Sequence, residues 1–131
     1  MPNVSEVEQL LRKKALRVLR VHSRSMSSEI YGVLEEARVG RGVHYPNNPN
    51  PSSVPGDPPA RQTGRLMESV KVIDLNETTL TALVGPDPRA FPDAYYPALL
   101  EFGTRDIGPR MFMRPAVERY RAAIQSGTGR P

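Results

Sequence analysis

A chain of 131 residues that is 38% hydrophobic, lacks tryptophan and carries 14 prolines and 10 glycines has the length of one domain and the material for one modest core. The absence of cysteine removes disulfides, thiolate metal sites and thiol nucleophiles from consideration. Eighteen basic against 14 acidic side chains leave a net charge of +4. No run of about 18 apolar residues occurs, so a membrane-spanning helix is excluded and a soluble, cytoplasmically made protein is expected.

Residues 1–40 read as helix. Ser5-Glu6-Val7-Glu8 has the form of a capping box, and its two glutamates suit the positive end of the helix dipole. Apolar positions recur at Val7, Leu10, Leu11, Ala15, Val18 and Leu19, then at Met26, Ile30, Val33, Leu34 and Ala37, which is the spacing of one buried stripe. Gly40 offers a left-handed stop. Unbroken, such a helix runs about 50 Å. Ser23, Ser25, Ser27 and Ser28 crowd its middle and compete for backbone hydrogen bonds, so one long helix, bent or frayed there, is expected. Six basic residues, Arg12, Lys13, Lys14, Arg17, Arg20 and Arg24, lie between Leu10 and Met26 with no acid among them. That block is either a solvated helix face or a footprint for an acidic partner, DNA included. In either case this half of the helix is expected to project from the domain or to line a neighbour.

Residues 41–63 change character. Pro46, Pro49, Pro51, Pro55, Pro58 and Pro59, interleaved with asparagines and serines, fit neither helix nor central strand, and predict a long arm that is loose in a monomer and laid on a neighbour in an assembly. A hairpin follows, with strands over 68–75 and 78–84 and Asn76-Glu77 as the turn; the alternation slips at Ile73. Gly85-Pro86 closes it, and 87–93 is loop. Residues 95–102 predict a short helix with Pro97 in its first turn and Gly103, at positive φ, as its exit. A strand is expected at 110–113. Pro115 then opens a last helix with Ala116, Val117, Tyr120, Ala123 and Ile124 inward and Gly127 past its end, before a polar tail at 127–131. The whole is one α+β domain, a small antiparallel sheet packed by helices, in which 64–126 form the compact part.

Residues that carry chemistry are sparse. His22 and His44 have no companion at metal-ligand spacing, and the glycines lack the pattern that cradles phosphates, so neither metal nor cofactor is expected. Among the carboxylates Asp87, Asp93, Glu101 and Asp106 are the densest group; Glu101 reads as the partner of an arginine, Arg105, Arg110 or Arg114, rather than as a catalytic acid.

Four segments, in order, say more. They are Pro55-Gly56-x-Pro58-Pro59, then Thr63-Gly64-x-Leu66-x-x-Ser69, then Tyr96 with Glu101-Phe102-Gly103-Thr104, then Arg110-x-Phe112-x-Arg114-Pro115-Ala116. Over residues 40–120 the chain thereby resembles the head–tail joining proteins of long-tailed double-stranded-DNA bacteriophages, also called neck, tail-completion or minor tail proteins. It departs from their pattern at Pro97, where alanine is usual, at Met111 for proline and at Met113 for leucine. All three changes are conservative for packing. The basic helix lies outside the resemblance.

The resemblance implies a structural virion protein: a ring, hexameric by the symmetry of long tails and with a dodecamer as the alternative, seated between the head-closure ring and the tail terminator or tail tube. It implies location at the head–tail junction, assembly in the bacterial cytoplasm, and no catalysis. Phe102 and Phe112 are then core or interface anchors, and Glu101 to Thr104 shape the lateral contact. The basic helix, which the resemblance does not cover, offers a second role: in such a connector Arg12, Lys13, Lys14, Arg17, Arg20 and Arg24 are candidates to line the lumen or to meet an acidic ring, and contact with DNA would then be salt-sensitive and sequence-independent. Two alternatives stand beside it. One is a tail terminator in the same connector; the other is a small basic nucleic-acid-binding module, although the aromatics sit mostly in the second half, away from the basic block. A small hydrolase lacks a recognisable acid–base pair.

Overall fold

A computed structural model describes residues 3–37, 40–42, 44, 46, 51–54, 56–60, 64–93, 95–106 and 108–127. The elements run α1 (Val4–Glu36), α2 (Arg65–Ser69), β1 (Val70–Asn76), β2 (Thr81–Pro86), a 3-10 turn (Pro88–Ala90), α3 (Tyr96–Phe102) and α4 (Met113–Gln125). The expected α+β class holds: a two-stranded antiparallel sheet packs with helices around one core. That core is small. Ile30, Val33 and Leu34 from α1 meet Met67 from α2, Phe112 before α4 and Ala116 within it, while Leu66, Val70, Val84, Leu100 and Met113 close over them.

α1 is a single uninterrupted helix of 33 residues. Its cap is Asn3 rather than Ser5: the Asn3 Oδ1 accepts the Glu6 amide at 2.9 Å, so Ser5 and Glu8 fall inside the first turns. Asparagine is as good a cap as serine, and Val4 tolerates helix, so the boundary moves outward. The serines do not break it. Ser23 Oγ donates to the Leu19 carbonyl four residues back, at 2.6 Å, a bond that helical geometry accommodates. The helix ends at Glu36, short of Gly40. Gly40 answers a different demand, since a Cβ there would stand 2.2 Å from the Ser52 carbonyl oxygen; the start of the arm lies against its returning half.

The apolar stripe is only half used. In its second half Ile30, Val33 and Leu34 are buried and Met26 and Ala37 half-buried, but Val7, Leu10, Leu11 and Val18 are exposed. The expected overhang of the basic half is also partial, because the hairpin turn reaches down the helix: Arg12 donates to the Thr78 carbonyl at 3.1 Å and Arg20 pairs with Glu77 at 2.9 Å.

The hairpin starts and ends later than its residue pattern predicts. Glu68 and Ser69 belong to α2, and the turn is Glu77 to Leu80, where Asn76 Oδ1 accepts from the amides of Thr78 and Thr79 and Leu80 takes a positive φ of 55°. The slip in alternation at Ile73 is a β-bulge: Val72 pairs with Val84 but Asp74 with Leu83, leaving Ile73 as the extra residue. The strand expected at 110–113 does not form. The amides of Phe112 and Met113 are taken by Glu101 and that of Arg110 by the Leu100 carbonyl, and the segment runs directly into α4, in which Pro115 is the third residue. On α4, Ala116 is buried and Tyr120 and Ala123 are half-buried, but Val117 and Ile124, expected inward, are exposed. Gly127 has a φ of 79° just past its end, as predicted.

Candidate interaction surfaces

The residues of the four signature segments divide into a buried clasp and an exposed face. Glu101 is the hub. It leaves α3 inward, 9% exposed, and its Oε1 accepts the amides of Phe112 and Met113, both at 2.9 Å, while Oε2 accepts that of Arg114 at 3.1 Å. A carboxylate at the start of a helix satisfies orphan donors and opposes the positive end of the dipole. The expected arginine partner is therefore incorrect: Glu101 binds the backbone of Arg114, whose side chain is exposed. A carboxylate so occupied is an anchor for the start of α4.

Arg110 is the second hub. Its amide donates to the Leu100 carbonyl at 2.7 Å, tying the segment to α3. Its guanidinium donates to Ser53 Oγ at 3.0 Å, to the Ser53 carbonyl and to Gly108, which brings the returning arm onto the domain. The Gly56 amide adds a bond to the Pro109 carbonyl at 3.0 Å, and Arg41 pairs with Asp57 at 2.8 Å across the arm. Pro59 is buried and Pro58 half-buried. The described parts of the arm thus pack on their own chain instead of hanging loose. Pro55 and Thr63 lie outside the described residues.

Gly64, at a φ of 86°, caps α2 in the left-handed region that glycine alone takes cheaply. Leu66 then lies over the core, and Ser69 Oγ donates to the Leu66 carbonyl at 2.7 Å. Gly103 leaves α3 at a φ of 76°. Phe112 is fully buried, whereas Phe102, expected to be an anchor of core or interface, is 78% exposed and belongs to no core. Tyr96, Thr104 and Arg114 are exposed as well. With Tyr95 and Leu99, Tyr96 and Phe102 give α3 an outward aromatic face.

Asp87 stands in the sequence only as one of a group of carboxylates; its capping role was missed, although an aspartate one residue before a proline is a recognisable turn cap. Its side chain is buried, its Oδ1 accepts the Arg89 amide at 3.0 Å, and Arg89 and Lys71 flank it at 2.9 and 3.0 Å. Hydrogen bonds from the Arg89 side chain first, then from its backbone and from Lys71, hold the carboxyl well below the usual carboxylate range. Its own amide donates to the Ser69 carbonyl at 2.8 Å, closing the open end of the hairpin. Nearby the Tyr95 hydroxyl donates to the Pro86 carbonyl at 2.7 Å, and burial, then the Asp87 charge, raises its pKa.

On α1, Lys13, Arg17, Arg20 and Arg24 follow one another at four, three and four residues and share a face. All six basic residues of the block are exposed, and two of them, Arg12 and Arg20, hold the hairpin turn. His22 pairs through Nδ1 with the Tyr120 hydroxyl, joining α1 to α4. Among the described residues no three His, Asp or Glu side chains are placed to hold a metal, and no helix is long and apolar enough to cross a membrane. Comparison with protein-family models, with curated proteins and with solved structures gives no match.

Proposed function

We propose that this chain is a structural subunit of the neck of a long-tailed bacteriophage, a ring component that joins the DNA-filled head to the tail. The observation that carries the reading is the convergence of three of the four signature segments. Gly56, Glu101, Arg110, Phe112 and Arg114 meet in one clasp, and Leu66 of the fourth packs on the same core as Phe112, so the pattern serves a fold, while the faces left over are apolar and outward. Large exposed apolar patches mark interaction surfaces. No catalytic chemistry is assigned, because the most deeply placed carboxylates, Glu101 and Asp87, are occupied by amides and cations.

Deleting the gene from the source phage and imaging the lysate tests this. Full heads and free tails side by side are expected. Tails of abnormal length would shift the assignment to the terminator, and intact infectious particles would overturn it.

A second reading rests on the exposed cationic face. Lys13, Lys14, Arg17 and Arg24 form no ion pair with a described residue, which suits a sequence-independent contact with passing DNA. Duplex binding that weakens steeply with salt, with a log–log slope reduced by about one for each of these residues changed to alanine, is the expected signature. A slope unchanged by the substitutions would remove DNA from the lumenal role.

A further inference from the structure

We propose that the open end of the hairpin carries a receptor for a single carboxylate, built on Arg89 and Lys71, and that its guest is an acidic side chain of a partner protein. The site uses no residue of the clasp or of the basic block on α1, and it does not rest on the ring reading.

Its foundation is Asp87, whose side chain is only 4% exposed. Oδ1 accepts the amide and Nε of Arg89 at 3.0 and 3.2 Å, while Oδ2 takes Arg89 Nη2 at 2.9 Å and Lys71 Nζ at 3.0 Å. Two cations thus meet on one oxygen of one buried anion, and one positive charge of the trio is left uncompensated.

What the trio leaves unused faces outward. Arg89 spends the Nε–Nη2 edge of its guanidinium on Asp87, and the Nη1–Nη2 end of the fork has no acceptor among the described residues. Two parallel donors on one edge of a planar guanidinium match the two oxygens of a carboxylate. Lys71 adds donors beside it, since its ammonium has three and Asp87 takes one. The Arg89 and Lys71 side chains are 78% and 51% exposed, so the buried anion fixes them without sealing them. Both line a recess of about 390 Å³, room for a carboxylate and the stem that carries it, to which Arg65 and Glu68 bring one charge of each sign.

Charge and shape select the guest. A singly charged carboxylate cancels the excess, whereas a doubly charged phosphate would bring one negative charge too many into a recess that already holds Glu68 and Asp87. The largely charged lining lacks the apolar walls that hold a free small molecule, so the carboxylate arrives on a larger carrier whose own surface supplies the contact area. Arg41 provides the contrast within the chain. It meets Asp57 by the same edge, Nε at 2.8 Å and Nη2 at 3.0 Å, but no second cation joins them among the described residues, and that pair is neutral.

NMR of the isotope-labelled full-length protein, titrated with sodium acetate against sodium chloride at equal ionic strength, tests the site. Acetate is expected to give saturable shifts of the Arg89 Nε–H signal and of the Lys71 and Arg89 amides, and to leave the Arg41 Nε–H signal unmoved. Arg89→Lys keeps the charge but loses the fork, and is expected to weaken acetate binding about tenfold. Lys71→Gln leaves the Arg89 pair in place, is expected to weaken it as well, and serves if circular dichroism shows that Arg89→Lys does not fold. An aspartate capped at both backbone ends is expected to bind at least as tightly as acetate, and inorganic phosphate more weakly. An equal response at Arg41 would reduce the site to ordinary surface charge and overturn the proposal, as would phosphate binding more tightly than acetate. Acetate binding with the capped aspartate excluded would overturn the protein partner. None of these outcomes touches the head–tail role, which the gene deletion reads separately.

Discussion

Glu101 fastens three backbone amides with two oxygens, so its removal strands donors that the fold has already withdrawn from water. Glu101→Ala is expected to cost about 1–3 kcal/mol in urea unfolding, and Glu101→Gln, which keeps one acceptor oxygen, about 1 kcal/mol. Arg114→Ala is expected to stay within about 0.5 kcal/mol, since only the backbone of that residue takes part. An ion pair between the two side chains would instead make both losses alike. Asp87 gives a pH dependence whose sign is fixed by its lowered folded pKa. Its contribution is complete above the unfolded value of about 3.9 and declines as pH falls below that toward the folded value. The urea midpoint of the wild type is thus expected to drop on going from pH 7 to pH 3 by more than that of Asp87→Asn, measured by circular dichroism.

Within α1 the same residue types do unlike work. Ile30 is fully buried against Phe112 and Met67, and Ile30→Ala is expected to cost about 2–5 kcal/mol. Removal of residues 1–10, whose described side chains are exposed, is expected to lower helical ellipticity yet move the thermal midpoint by less than about 4 °C. The three-to-four spacing was equally clear in both halves, so the helix itself was legible from end to end. Which half would find a core was not, because burial depends on what the rest of the chain lays against the helix, and Phe112 arrives from 82 residues further on in sequence. The hairpin shows the converse. The broken alternation at Ile73 was visible as a slip and became a bulge, since two residues of β1 there oppose one of β2. The strand expected at 110–113 failed for a reason no local pattern carries: a carboxylate eleven residues before Phe112 claims the amides of Phe112 and Met113.

Across the molecule, the α+β architecture and the positions of α3 and α4 followed from proline, glycine and apolar spacing. The clasp did not, because its parts are joined by backbone groups that every residue possesses and only topology brings together. The signature residues were found as a pattern, but the pattern is silent on which of them turn inward. Phe112 and Phe102 look alike on the page, yet one is sealed and the other stands in solvent. That division has a dynamic consequence. The arm at Gly56, the segment at Arg110 and the first turn of α4 share fastenings through Ser53, Leu100 and Glu101, so a fluctuation that frees one loosens the rest. In heavy water the amides of Gly56, Arg110, Phe112, Met113 and Arg114 are expected to lose their protons as one cohort, and Glu101→Gln to speed them all together, while the α1 amides around Ile30 keep their own slower clock.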